Sequence, residues 1–290
     1  CSNLPSPGAQ VGGGLNIYAG EILLNDNLFQ GNLCIGHGDA GGAYLYDFAT
    51  ADLQNNQFLD NRAQRAAGGL MTLGGVISLS HNTFQNNHAG TPSSSGSGSA
   101  MWMVIPQGTA DGNTFLNNTG GDAVRIRTSH GLTLTNNLIA ANDASLIIVG
   151  VNPADLTLLA NNTIADNGGS SGISLYYTAT AELVNNIISG HDTGIYMDST
   201  ANLVTTTHNI FWNTYETFTP TTDIIADPLL TGDYHLQPGS PAIDAGLTLP
   251  WLAVDLAGDP RPLGAGYDIG AFEMDLAALK FRIYLPLILR

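Results

Sequence analysis

The chain has 290 residues, 8 Lys+Arg against 24 Asp+Glu, a formal charge of −16, and only 11% charged residues. So few basic groups cannot displace the counterions of a nucleic acid, which excludes that partner, and an anionic membrane surface is disfavoured for the same reason. Hydrophobic residues make up 43%, enough for a sizeable core and too many for a disordered chain, yet no apolar run reaches the roughly 18–20 residues that span a bilayer.

The sequence opens on Cys1, with no basic and apolar leader ahead of it. Lysine occurs once, at Lys280, against 26 Asn and 35 Gly. That composition points to a processed protein that is extracellular or at the cell surface. The only other cysteine is Cys34. Three readings stand open: a Cys1–Cys34 disulfide that pins the N-terminus, a lipid-bearing Cys1 followed by the small Ser2, and two unrelated thiols.

From residue 11 the chain repeats. Asn-x-[Phe/Ile/Leu] occurs eight times, at Asn27, Asn56, Asn82, Asn113, Asn137, Asn162, Asn186 and Asn209, with an average spacing of 26 residues. Two positions after each Asn stands Phe29, Phe58, Phe84, Phe115, Ile139, Ile164, Ile188 or Phe211. Five positions after the first six stand Asn32, Asn61, Asn87, Asn118, Asn142 and Asn167. A turn and a second apolar segment follow, such as Gly42-Ala43-Tyr44-Leu45 or Gly172-Ile173-Ser174-Leu175. The segments are short, alternate with period 2, and are punctuated by Gly and Asn, which predicts strands and no helix. A unit of this size cannot bury its own apolar side and must stack on its neighbours.

The expected fold is therefore all-β: a right-handed parallel β-helix (β-solenoid). We expect about eight regular coils over residues 1–226, a module at 227–275 that continues or closes the solenoid, and an apolar tail strand at 276–290. Stacked at about 4.8 Å per coil, the Phe/Ile column becomes a core stack and the eight motif Asn become a structural amide ladder. Asn also tolerates the left-handed backbone that sharp corners need. Between the third and fourth copies, residues 90–99 form a Gly/Ser-rich insertion that reads as a protruding loop.

Beyond residue 226 the pattern changes. The blocks are Asp227-Pro228-Leu229-Leu230, Gly232-Asp233-Tyr234-His235-Leu236-Gln237-Pro238-Gly239-Ser240-Pro241-Ala242-Ile243-Asp244-Ala245-Gly246, Asp255-Leu256-Ala257-Gly258-Asp259-Pro260-Arg261 and Asp268-Ile269-Gly270-Ala271-Phe272-Glu273. This stretch resembles the C-terminal module of secreted bacterial right-handed β-helix proteins of the choice-of-anchor Q type. The resemblance implies export, with attachment to a cell surface or release outside the cell. It supplies no catalytic residues. The tail that follows, with Phe281, Ile283, Tyr284, Leu285, Leu287, Ile288 and Leu289, is apolar and strand-forming. It reads either as a strand packed on its own solenoid or as a self-assembly strand donated to another molecule.

Catalytic patterns are sparse. No two acidic residues are adjacent, whereas glycoside hydrolysis needs a carboxylate pair across the bond. Gly36-His37-Gly38 superficially resembles a polygalacturonase motif, but the Asp-Asp and Arg-Ile-Lys segments of that family are missing. No cofactor is expected; Ca²⁺ would have to be held by scattered Asp without EF-hand spacing. Arg125 and Arg127 alternate on one strand and so share a face, and with Asp122 and His130 they make the best candidate cleft. His191, Asp192 and Asp198 read as a polar surface cluster. Tyr44, Tyr46, Tyr176, Tyr177 and Tyr196 suggest sugar binding without fixing which of them face outward. The expected function is a non-enzymatic extracellular structural protein. Its subunits stack head to tail into a fibre or surface layer, because an open solenoid edge invites pairing. The competing expectation is a polysaccharide-binding adhesin or carbohydrate-active enzyme, with a cell-surface glycan as partner.

Overall fold

The computed structural model describes residues 12–35, 38–91, 94–105, 107–128, 130–152, 156–201, 203–215 and 222–276. Among them there is no α-helix. Nearly every strand pairs in parallel with its equivalent one repeat away, which is the signature of a solenoid. The exception is Ser94–Ser95, which turns back antiparallel on His88–Thr91 at the Gly/Ser insertion.

Each coil has three faces. The first two rungs, Leu15–Asn25 and Ala43–Gln54, run unbroken across the first and second faces. From the third rung on, the faces separate, as in Leu70–Leu73 and Val76–Ser80, or Met101–Ile105 and Gln107–Asp111. The third face is a nine-stranded sheet of two- and three-residue strands, from Leu28–Gln30 to Ile224–Ile225. The eight motif Asn, Asn27 to Asn209, therefore span seven complete turns, and Asp223 begins a ninth rung that lacks the Asn motif.

Alternation sends every second side chain inward. On the third face Phe29, Phe58, Phe84 and Phe115 stack with ring centroids 4.7, 4.7 and 4.9 Å apart, and Ile139, Ile164, Ile188 and Phe211 continue the column. All are buried except Phe29, which is half-buried on the first rung. Gly42 and Gly69 enter the first face at a point of close approach. A Cβ at either would lie 2.5 Å from a carbonyl oxygen of the next rung.

The corners flanking the third face are built by Asn ladders. At the first corner each of the first seven Asn gives its backbone N–H and one Nδ2–H to Oδ1 of the Asn one coil on, at 2.8–3.0 Å throughout. From Asn56 on, the second Nδ2–H goes to a backbone carbonyl one coil back, as from Asn137 to Ala110 at 2.8 Å. Asn32, Asn61, Asn87, Asn118, Asn142 and Asn167 form a second ladder at the other corner. Amide groups that are fully used in this way bear burial without penalty. The left-handed backbone does not fall on the ladder Asn, where the sequence pattern predicts it. The positive φ belongs to the residue before each one: Asp26, Asn55, His81, Gly112, Asn136, Asn161, Asn185 and His208 at the first corner. The bend must precede the Asn, because the Asn backbone N–H has to align with the ladder.

Residues 227–275 do not add rungs. They fold along the outside of the third face over its last coils. Leu236, Ala242 and Ile269 pack on Ile187 and Ile210, while Ala271 and Phe272 pack on Leu138 and Ala140. The corner residues Asn136, Asn161 and Asn185 hold this flank. Asn161 Nδ2 donates to the Asp268 carbonyl at 2.9 Å, and Asn185 Nδ2 donates to the Leu247 carbonyl at 2.8 Å. The blocks that carry the family resemblance form a buried network. Arg261 pairs with Glu273 at 2.7 Å, both side chains fully buried, and Arg261 Nη2 donates to Asn136 Oδ1 at 3.0 Å. Glu273 accepts the Asp268 N–H, and Asp255 accepts the Glu273 N–H. Those residues organise the flank, which is a structural role.

Candidate functional site

The outward side of the first face carries the chemistry. Parallel register aligns two outward columns along the axis. One runs Asn16, Tyr44, Met71, Trp102, Arg125, Ile147, Ser174 and Tyr196; the other runs Tyr18, Tyr46, Leu73, Val104, Arg127, Val149 and Tyr176. None of these positions is acidic, although the chain holds 24 Asp+Glu. The face is aromatic, aliphatic and cationic on an otherwise acidic molecule.

Its middle is concave. A groove of about 540 Å³ is lined by Trp102, Arg125, Arg127, Val149, Gly150, Val151, Tyr177 and Thr178. Arg125 is clamped by Asp122, with Nε and Nη2 each 2.9 Å from a carboxylate oxygen. Burial opposes the Arg125 charge, but the hydrogen bonds and the charge of Asp122 outweigh it and leave the guanidinium above its ordinary range. Asp122 is itself buried and accepts the Gly98 N–H at 2.9 Å, which ties the base of the 90–99 insertion to the groove wall. Arg127 is exposed and makes no ion pair among the described residues. His130 is exposed and lies outside the lining, so of the four residues expected to form the cleft Arg125 and Arg127 line it and Asp122 only holds Arg125 from behind.

Of the five tyrosines singled out in the sequence, Tyr44, Tyr46, Tyr176 and Tyr196 lie outward on this face, and Tyr177 closes the groove at a strand end. Tyr176 and Tyr196 are 5.7 Å apart, as neighbours on successive rungs. Tyr44 is covered by Ala40, Ala66 and Ala67; burial first, and then the charge of Asp39, push its phenol above the ordinary range.

The expected surface cluster of His191, Asp192 and Asp198 does not exist as one group. His191 is 3% exposed and sits at the end of the second ladder, with Nε2 3.5 Å from Asn167 Nδ2. Burial lowers its pKa to about 4, so it is a neutral acceptor there. Sequence alone hid this, because the second ladder runs on Asn until this rung. Asp192 is exposed, and Asp198 caps a turn by accepting N–H bonds from Tyr177, Thr200 and Ala201. Among the described residues no group of three or more His, Cys, Asp or Glu is placed to hold a metal, and no helix is long and apolar enough to cross a membrane. Cys34 is buried beside Ala63; Cys1, Gly36, His37 and the tail residues Phe281, Ile283, Tyr284, Leu285, Leu287, Ile288 and Leu289 lie outside the described residues.

The family described as right handed beta helix region matches residues 74–219, half of the chain and the stretch that contains the groove. The chain belongs to the right-handed β-helix family. No curated protein and no solved structure matches it. In this β-helix protein the ladders and the core stack account for the repeated Asn, Phe and Ile, and the outward residues of the first face that they leave unexplained include Trp102, Arg125 and Arg127 of the groove.

Proposed function

We propose that this β-helix protein is a non-enzymatic extracellular or cell-surface module that holds a polysaccharide chain along its first face. One observation carries the reading: the two outward columns of the first face, which hold no acidic residue, with the Trp102–Arg125–Arg127–Tyr177 groove at their centre. Aromatic rings offer flat apolar surface for the C–H side of a sugar, and guanidinium groups hydrogen-bond its oxygens. A parallel solenoid repeats such positions every ~4.8 Å along a straight line, which suits an extended polymer. The location rests on the scarcity of lysine and on the resemblance of residues 227–273. A glycan array probed with the full chain and with W102A/Y177A tests the reading. Array signals that disappear in the double variant support it, and an array blank for both overturns it.

A head-to-tail fibre is the second reading. It is favoured by the first rung, where Tyr18 and Leu23 are exposed and Leu15, Ile17 and Leu24 are only partly covered. The ladder opposes a seamless junction, because its last acceptor is Asp223, which brings no Nδ2–H to the Oδ1 of Asn27, an oxygen that no donor among the described residues reaches. Sedimentation of the purified chain separates the two readings: polymers favour the fibre and monomers the binding module.

A further inference from the structure

The two ends of the third face fit each other except at one residue; this inference rests on the head-to-tail reading above and states what holds it in check. Among the described residues the sheet ends on two edge strands, Leu28–Gln30 and Ile224–Ile225. Ile225 pairs in register with Phe211 and so continues the inward column, yet it is 61% exposed at the open end. Phe29 begins the same column, half-buried at the opposite end. A second copy stacked one step on, at the 4.7–4.9 Å that separates the rings inside the column, would set Phe29 on Ile225 and Leu28 on Ile224. The same step would set Asn27 on Asp223, because each stands one residue before its strand.

At that corner the match fails. Inside the ladder each Oδ1 from Asn56 on receives an Nδ2–H from the Asn a coil earlier, as Asn209 does from Asn186. Asp223 has oxygen where that Nδ2–H would be: Oδ1 takes both Asn209 donors, and Oδ2 is buried without a partner. A carboxylate against Asn27 Oδ1 sets acceptor against acceptor, and Asp26 of the incoming copy adds a second negative charge at the same corner. An inward charge on a sheet edge blocks pairing.

We infer that the first rung and the last strand form a stacking surface for a second copy of this chain, and that Asp223 keeps it closed. D223N restores the ladder, because Oδ1 still accepts from Asn209 while Nδ2 donates to Asn27 of the next copy. A proton on Asp223 has the same effect, since a neutral carboxyl offers one accepting oxygen and one O–H. The titratable groups around this corner are His208, whose N–H bonds Thr222, Asp227 on the same chain, Asp244 of the flank, whose carboxylate takes the Gly266 N–H, and Asp26 and Glu21 of the incoming rung. Acid neutralises the carboxylates and charges only the imidazole, so the junction closes in acid and opens at neutral pH.

The test is sedimentation velocity and electron microscopy on the full chain. At neutral pH the native chain should be a monomer. D223N should form head-to-tail polymers at a concentration at least about tenfold below any at which the native chain associates. D223N/N27A should return to monomers, because its incoming rung has lost the acceptor. The native chain taken to about pH 4, where carboxylates take up protons, should polymerise, and N27A should not. N27A keeps every charge, so it separates stacking from isoelectric precipitation, and this acid arm decides the matter if D223N does not fold. Folded D223N that stays monomeric, or acid assembly that N27A shares, overturns the role of Asp223. Native polymers at neutral pH that match those of D223N overturn that role and leave the head-to-tail reading standing. Monomers in every sample at every pH overturn both.

Discussion

Asn209 gives its backbone N–H and its Nδ2–H to the same carboxylate oxygen of Asp223, at 2.7 and 2.9 Å. This ends the first ladder with a residue that accepts and donates nothing, while the second Asp223 oxygen is buried without a partner. The Asn column is directional, and Asp is the one change of side chain that stops it while keeping its size. D223A leaves two donors of Asn209 unanswered and should cost about 1–3 kcal/mol, whereas D223N keeps the accepting oxygen and should cost under about 1 kcal/mol. Urea unfolding of both variants checks the order.

Position along the ladder sets the cost of losing an amide. Asn137 is fully buried and uses both donors and its acceptor on Asn113, Asn162 and Ala110. Asn27 is partly exposed, and no donor among the described residues reaches its Oδ1. N137A should cost about 3 kcal/mol or more, and N27A under about 1 kcal/mol. Equal losses in denaturant titrations would contradict a cooperative ladder.

The repeat made most of this legible. Phe58, Phe84 and Phe115, or Asn56, Asn82 and Asn113, recur because each coil presents the same corner and the same core position to its neighbour. Asp223 escapes the pattern because it follows Asn209 by only 14 residues and is not Asn. His191 looks like a surface residue in sequence because its burial depends on alignment with Asn167 a coil earlier. The placement of 227–275 rests on bonds such as Asn136 to Arg261, 125 residues apart, and no local pattern encodes such pairing. Arg125 and Arg127 were legible as a shared face from strand alternation, but the clamp of Asp122 on Gly98 across the insertion was not.

Two buried groups oppose each other as pH falls. His191 has a folded pKa of about 4, below its ordinary 6.5, so its contribution is present above pH 6.5 and is lost as pH falls toward 4. Asp268 is raised by burial from 3.8 to about 6, so its contribution is present below pH 3.8 and is lost as pH rises through 6. Each contribution is about 3 kcal/mol, because a tenfold change in proton affinity between folded and unfolded chains is worth about 1.4 kcal/mol. These two groups should nearly cancel between pH 4 and 6. H191N removes the acid-sensitive half, so its stability should rise from pH 6 to pH 4. D268N removes the half that strengthens in acid and should lose stability over the same interval. Thermal unfolding at pH 6, 5 and 4 reads the slopes, and parallel slopes in both variants would refute the assignment.

The flank is held by one arginine among three buried acids, Asp255, Asp268 and Glu273. R261A leaves those charges uncompensated and should cost about 3–5 kcal/mol. Because the solenoid carries its own ladders, the loss should appear first as flank release. Hydrogen exchange should then rise at the backbone amides of Ile269 and Ala271, which are bonded to Ala242 and Thr163, before it rises at Phe84 or Phe115. Simultaneous exposure of all four would mean that the flank and coils unfold as one unit.

The binding reading depends on the first face and is most directly tested by fluorescence. The chain has three tryptophans, Trp102 in the groove and Trp212 and Trp251 away from it. With W212F and W251F in place, Trp102 is the sole tryptophan reporter, and an oligosaccharide that scores on the glycan array should change its emission along a saturable curve that Y177A weakens. A flat titration at concentrations where calorimetry shows that the same oligosaccharide binds would place the ligand elsewhere and contradict the assignment of the groove.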